Sequence, residues 1–173
     1  FQAQYVERKL PEDAINIQRY LSSGVIKGIG SALAKKIVTA FGSQTLEIME
    51  KQPTRLMEIR GISPKKCEAI AQEVQKIFAL RSLMLFLQQY NIRSRYAMRA
   101  YQCYGSGAKE MILANPYLLC GMGIELPFEK AEILADDLKV PKNAEQRILA
   151  GTCYILEHNT HNGYTCLPLD RLQ

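Results

Sequence analysis

No Gly-x-x-x-x-Gly-Lys-Ser/Thr run occurs in the chain, so a phosphate loop for a nucleoside triphosphate is not expected within it. No apolar run approaches the ~18 residues that span a bilayer, and no secretory leader is visible. A membrane partner is therefore not expected. No Cys-x-x-Cys pair exists. The five cysteines, Cys67, Cys103, Cys120, Cys153 and Cys166, are widely spaced and odd in number. That pattern argues against a disulfide framework and for a reducing, cytoplasmic compartment. No Ser/His/Asp arrangement is suggested, and the acidic residues form no obvious metal cluster. This stretch of chain is expected neither to catalyse a reaction nor to hold a cofactor.

What remains is an ordinary globular composition. The chain has 173 residues, with 47% hydrophobic and 23% charged residues, enough to bury a substantial core. The formal net charge is +5, which permits a polyanionic partner without demanding one. The first residue is Phe1 rather than Met, and a fresh turn signal lies close to Gln173. Both suggest a piece of a longer protein.

The informative feature is repetition. Lys27-Gly28-Ile29-Gly30 is answered thirty-three residues later by Arg60-Gly61-Ile62-Ser63. Ala34 and Ile37 follow the first, and Cys67 and Ile70 follow the second, at the same spacing. A shift of sixty-three residues then finds the whole first unit again. Ile29 meets Ile92, Ala34 meets Ala97, Gly42-Ser43 meets Gly105-Ser106, Pro53 meets Pro116 and Leu56 meets Leu119. One extra residue later, Gly61-Ile62-Ser63 meets Glu125-Leu126-Pro127. Such internal duplication fixes the architecture: four turns in two tandem pairs, with residues 28–76 and 91–138 folding alike.

Each turn makes its own prediction. In the first, glycines provide positive φ and close approach. The second continues into Ser63-Pro64, an N-cap followed by Pro at the first helical position. The third has Asn91, the best substitute for glycine in the left-handed region. The fourth, Glu125-Leu126-Pro127, has no glycine and no positive charge, and reads as a packed relic.

Helices are expected from Pro11 to Leu21, Ser31 to Phe41, Ser43 to Glu50 and Pro53 to Met57. A long helical stretch from Pro64 is expected to approach Gln89 with a break. Others run from Ser94 to Tyr104, from Ala108 to Leu113, from Pro116, from Pro127 and from Ala144 to His158. Alternation over Phe1–Val6 and Tyr164–Leu167, the latter after the Asn162-Gly163 turn signal, suggests a strand fragment at each end.

A glycine turn at a helix N-terminus exposes N–H groups to an anion. Lys27, Lys35 and Lys36 surround the first turn, and Arg60, Lys65 and Lys66 the second. Backbone groups would contact phosphate, and the cations would add attraction that ignores sequence. The competing reading is tight helix packing under a solvated basic face. The third turn carries Arg93, Arg95 and Arg99 beside Tyr96 and Tyr101, a pairing suited to single strands, although Tyr101 falls on the core side. Glu129, Glu132, Asp136 and Asp137 follow the fourth turn and repel phosphate. Cys153, His158, His161 and Cys166 could suggest zinc. Their spacing matches no common finger, and Cys153 and His158 do not share a helix face.

The four turns resemble tandem helix-hairpin-helix motifs over Lys27 to Ala135. A narrower resemblance spans nearly the whole chain. It rests on Tyr20-Leu21-Ser22-Ser23-Gly24-Val25-Ile26-Lys27-Gly28-Ile29-Gly30, Phe41-Gly42, Asn115-Pro116-Tyr117, Arg147-x3-Gly151 and Gly163-Tyr164-Thr165-x-Leu167-Pro168. These look like the N-terminal region of bacterial RecD/TraA-type helicases, also labelled exodeoxyribonuclease V alpha subunit. Two departures stand out. The family's Gly-Ile-Gly-Phe at the fourth turn is here Glu125-Leu126-Pro127-Phe128, and its Gly-His-Thr is Gly163-Tyr164-Thr165.

The resemblance implies a mainly α fold of two helix-hairpin-helix pairs, small SAM-like bundles with short strand fragments at the termini. Residues 1–10 would be the last strand of an N-terminal barrel. Residues 11–90 would form the first pair with its lead-in helix, and residues 91–140 the second. Residues 141–173 would be a helical linker and the start of the next domain. The implied function is sequence-independent DNA binding, to single strands or junctions, beside a 5′-to-3′ motor in DNA recombination and repair. ATP and Mg would belong to the motor, a part of the same polypeptide beyond this stretch. Two rivals compete with that function. One is an interaction module that positions the motor without touching DNA. The other is a glycosylase or lyase, which would want a catalytic aspartate soon after the hairpin. The four aspartates, Asp13, Asp136, Asp137 and Asp170, do not supply one.

Overall fold

The computed structural model describes residues 10–161. The expected terminal strands, the Asn162-Gly163 turn and the Gly163–Pro168 motif lie outside them. Among the described residues the fold is helical and contains no strand. Its α-helices are α1 (Ala14–Ser22), α2 (Ser31–Phe41), α3 (Thr45–Lys51), α4 (Pro64–Gln88), α5 (Ser94–Tyr104), α6 (Ala108–Ala114), α7 (Phe128–Asp137) and α8 (Glu145–His161). Short 3-10 helices occupy Gly42–Gln44, Pro53–Glu58, Gly105–Gly107 and Pro116–Cys120.

The helix boundaries follow local chemistry. Helix α1 starts at Ala14 rather than Pro11, because the Asp13 carboxylate accepts the Asn16 N–H at 2.8 Å and so caps the first turn. Gly42 and Gly105 end α2 and α5 at φ +56° and +66°, a region where glycine carries no Cβ penalty. Ser63 Oγ accepts the Lys66 N–H at 3.3 Å and caps α4. That helix then runs to Gln88 without the expected break. At its end the Asn91 N–H bonds to Gln88 O and the Ile92 N–H to Leu87 O, with Asn91 at φ +54°. This is a Schellman closure, in which Asn91 takes the place glycine usually holds. Ile92 and Leu87 are both buried in the same cluster beneath it.

The chain divides into two compact units at Phe78/Ala79, inside α4. In the first unit, Ile17 and Leu21 of α1, Ala34 and Ile37 of α2, Met49 of α3, Leu56, and Ile70 and Val74 of α4 form one core. In the second, Leu83 and Leu87 of α4, Ala97 and Ala100 of α5, Ile112 of α6, Leu119, and Ala131 and Leu134 of α7 form another. The element order is the same in both: lead-in helix, turn, helix, 3-10 helix, short helix, 3-10 helix, turn, helix. The duplication read from the residue offsets is therefore present in the helix order. Thr45, the one buried polar residue among those described, donates its hydroxyl to Gly42 O at 2.7 Å. Its counterpart in the second copy is Ala108, equally buried.

Candidate nucleic-acid interface

The first two turns are built alike. The Ile29 N–H bonds to Ile26 O, and the Ile62 N–H to Ile59 O, at 3.3 and 3.1 Å. Gly28 and Gly61, third in each turn, take φ +91° and +106°. A positive φ at the third residue with a closing hydrogen bond is the pattern of a type II turn. The basic residue, Lys27 or Arg60, sits second and is exposed, and the isoleucine that closes each turn is buried. The isoleucines anchor the turns to the core, and the cations point to solvent.

Gly30 differs from Gly28. It lies in extended backbone at φ −94°, immediately before α2. It is thus not needed for a left-handed conformation, and a Cβ added there would meet open space. Among the described residues the N–H groups of Gly30, Ser31 and Ala32 have no hydrogen-bond acceptor, and neither have those of Ser63 and Lys65 at the second turn. These are the orphan donors of helix N-termini, available to an anion.

Both turns lie in the first unit, and the structure brings them together reciprocally. Lys36 of α2 donates from Nζ to Arg60 O at 3.4 Å. In return, Ile70 of α4 stands beneath the first turn, 3.7 Å from where a Cβ on Gly28 would lie. A hydrogen bond from Lys76 holds the Glu73 carboxyl on α4 below the ordinary glutamate range, and the Lys27 charge adds a smaller effect in the same direction. Among the described residues, Lys27, Lys35, Arg60, Lys65 and Lys66 make no ion pair with a carboxylate.

The third turn places its arginines differently. Arg93 is exposed just before α5. Arg95 covers the ring of its neighbour Tyr96, 4.7 Å from the centroid, and donates to its hydroxyl at 2.7 Å. Tyr96 is only 5% exposed. Its ring is therefore not an open platform for a base, contrary to the stacking expected from arginine beside tyrosine. Tyr101 packs against the core, as its helix position implied.

The fourth turn departs furthest from the expectation. It keeps a glycine. Gly121–Ile124 forms a turn closed by the Ile124 N–H on Gly121 O at 3.2 Å, with Gly123 third at φ +88°. Met122, second in this turn as Lys27 and Arg60 are in theirs, is 99% exposed. Glu125 then takes a second left-handed conformation at φ +59°, three residues before α7, just as Gly28, Gly61 and Asn91 precede α2, α4 and α5. Leu126 is buried and Phe128 half-buried, but Pro127 is exposed. Arg99 reaches this turn, donating to Ile124 O at 3.0 Å and pairing with Glu125 at 3.3 Å.

Nothing in the residue order hints at the network that fastens α8 within the second unit. Asn115 Oδ1 accepts the Tyr117 N–H, and the Tyr117 hydroxyl donates to Glu132, which also receives Arg147. Burial and the adjacent Glu132 carboxylate push the Tyr117 phenol well above its usual range. Tyr117, Phe128, Tyr154 and His158 follow one another as stacked rings at centroid distances of 5.8, 5.5 and 6.3 Å. The Phe128 ring lies against Gly151, 3.4 Å from where a Cβ would stand. Asn115-Pro116-Tyr117 and Arg147-x3-Gly151, two of the motifs that carry the resemblance, thus have packing roles. Among the described residues no group of His, Cys, Asp and Glu is arranged to hold a metal. Cys153 and His158 are exposed, whereas Cys166 and the side chain of His161 lie outside the described part of the chain.

Comparison with known proteins agrees with this architecture. The family described as "ATP-dependent RecD2 DNA helicase HHH domain" matches residues 76–166, just over half of the chain. The family described as "SAM-like Helix-hairpin-helix tandem" matches residues 19–76. The ATP-dependent RecD2 DNA helicase of Deinococcus radiodurans is 22% identical over 152 residues, which cover 86% of this chain and 21% of that protein. The chain thus spans about a fifth of the length of this relative. No solved structure shows a significant match. Two duplicated hairpin pairs on a helical fold, together with a family match over more than half the chain, place this protein in the RecD2 DNA helicase helix-hairpin-helix family.

Proposed function

We propose that the first hairpin pair grips the DNA backbone without regard to sequence, as the accessory region of an ATP-dependent 5′-to-3′ DNA helicase. The observation that carries this reading is the pairing of two equivalent turns in one unit. Each presents a solvent-facing cation, Lys27 or Arg60, ahead of a glycine at positive φ, and each leads into a helix start with unused N–H donors. Phosphates would be met by these donors, while Lys35, Lys65 and Lys66 add charge from the following helices. Contacts of this kind position DNA and carry no base information. Arg93 would add attraction at the third turn. The fourth turn, with Met122 and Glu125 ahead of an acidic α7, would add none. ATP and Mg would be handled by motor domains of the same polypeptide. The setting would be DNA recombination and repair in a bacterial cytoplasm.

The test is affinity for a single-strand/duplex junction across a salt series. Lys27, Lys35 and Lys65 changed to Gln, singly and all three together, should weaken binding on unrelated sequences alike. Every phosphate that goes unneutralised should reduce the salt slope by about 0.7–0.9. Wild-type affinity and slope in the triple variant would overturn the reading and leave a module that positions the motor by protein contacts alone.

A further inference from the structure

Lys36 faces a backbone oxygen, not open solvent alone. Its Nζ lies 3.4 Å from Arg60 O, the carbonyl immediately before Gly61. The second copy repeats the arrangement with a different residue. Arg99 occupies the position that corresponds to Lys36, sixty-three residues on. It donates to Ile124 O at 3.0 Å, the carbonyl immediately before Glu125. Both acceptors therefore precede the left-handed residue from which the next helix starts three positions later. Lysine in one copy and arginine in the other make the same connection across different turns. A solvated cation would have no reason to find the same acceptor twice.

From this we infer that Lys36 is a positioning residue: it braces the second turn against α2 by holding the Arg60 carbonyl. Its charge is not directed at DNA phosphate. The inference rests on the proposed DNA grip only for its consequence, not for its geometry. A type II turn stays formed when its central peptide is held, since that peptide must keep one orientation to give positive φ at the next residue. The brace fixes that peptide between Arg60 and Gly61. The neighbouring donors of Ser63 and Lys65 are thereby presented in one arrangement, which lowers the ordering cost of binding. Lys35, one residue earlier on α2, is exposed and holds no such acceptor.

The test uses the whole chain and two readouts. Amide hydrogen exchange without DNA reports the brace. Lys36→Met should speed exchange of the Ile62 N–H several-fold, and Lys36→Arg should restore it, since Arg99 shows that arginine can make this contact. Lys35→Met should leave it unchanged. Affinity for a single-strand/duplex junction across salt reports the consequence. Lys36→Met should weaken binding with an unaltered salt slope, whereas Lys35→Met should lower the slope by about 0.7–0.9. Unchanged Ile62 exchange in Lys36→Met would overturn the brace, as would a slope reduced as in Lys35→Met. If no variant alters DNA binding but Lys36→Met still loosens the turn, the brace stands and the DNA reading fails.

Discussion

Arg147 meets Glu132 with two prongs, Nε to Oε1 at 3.0 Å and Nη2 to Oε2 at 2.9 Å. The same carboxylate accepts the Tyr117 hydroxyl and lies 3.7 Å from Lys142 Nζ. Paired donors of this kind favour the ionised form. The Arg147 hydrogen bonds, the largest influence, hold the Glu132 carboxyl below its ordinary value of 4.5.

The sign of the pH dependence follows from that depression. A carboxyl whose folded pKa is lowered binds fewer protons folded than unfolded. Its stabilisation is full above the ordinary glutamate value and is lost as pH falls through the lowered folded value. Glu132→Gln should therefore flatten the acid limb of stability against pH, measured by urea unfolding at a series of pH values. An unaltered acid limb would mean that Arg147 and Tyr117 do not hold Glu132 in its ionised form.

Glycine substitutions should separate folding from binding. Gly61→Ala places a side chain at φ +106° and should cost about 1–3 kcal/mol by backbone strain, although space is available. Gly30→Ala should lose about 1 kcal/mol or less, since alanine caps α2 less well than glycine although the backbone is extended and the space open. If phosphate approaches the Gly30 N–H closely, this well-folded variant should still bind a junction more weakly. Denaturant midpoints and junction affinity check the two effects separately.

Asn91 offers a comparison within the second unit. Its φ of +54° suits glycine and asparagine but strains alanine. Asn91→Ala should lose about 1 kcal/mol, and Asn91→Gly should stay close to wild type. Equal losses in the two variants would point to an Asn91 side-chain contact instead of the backbone.

Ile70 is fully buried and stands beneath the Gly28 turn. Ile70→Ala should destabilise the chain by about 2–5 kcal/mol. Leu134, its counterpart in the second copy, is equally buried, and Leu134→Ala should fall in the same range. Thermal or urea unfolding of both variants checks the correspondence between the two cores.

Local signals are the legible ones. Helices α2 and α5 begin and end where Ser31, Ser94, Gly42 and Gly105 imply, because a helix terminator acts within a few residues of itself. Asn91 discloses its left-handed turn for the same reason. Gly28 and Gly30, by contrast, look equivalent in a Gly-Ile-Gly string, and only the backbone separates them. At the fourth turn the one-residue shift rightly pairs Glu125 with Gly61, both left-handed three residues before a helix, but it gives no sign of the Gly121–Ile124 turn just upstream. Lys36 bonding to Arg60, and Tyr117 and Arg147 meeting on Glu132, join residues fifteen or more apart with no periodicity to mark them.

Gly151 makes α8 conditional. A glycine inside a helix lowers its intrinsic stability by about 1 kcal/mol relative to alanine, so the segment is poorly suited to stand alone. The Phe128 ring lies against Gly151, 3.4 Å from where a Cβ would stand, so docking on the second unit offsets that weakness. Helicity over Glu145–His161 thus becomes a reporter of whether the second unit is assembled beneath it.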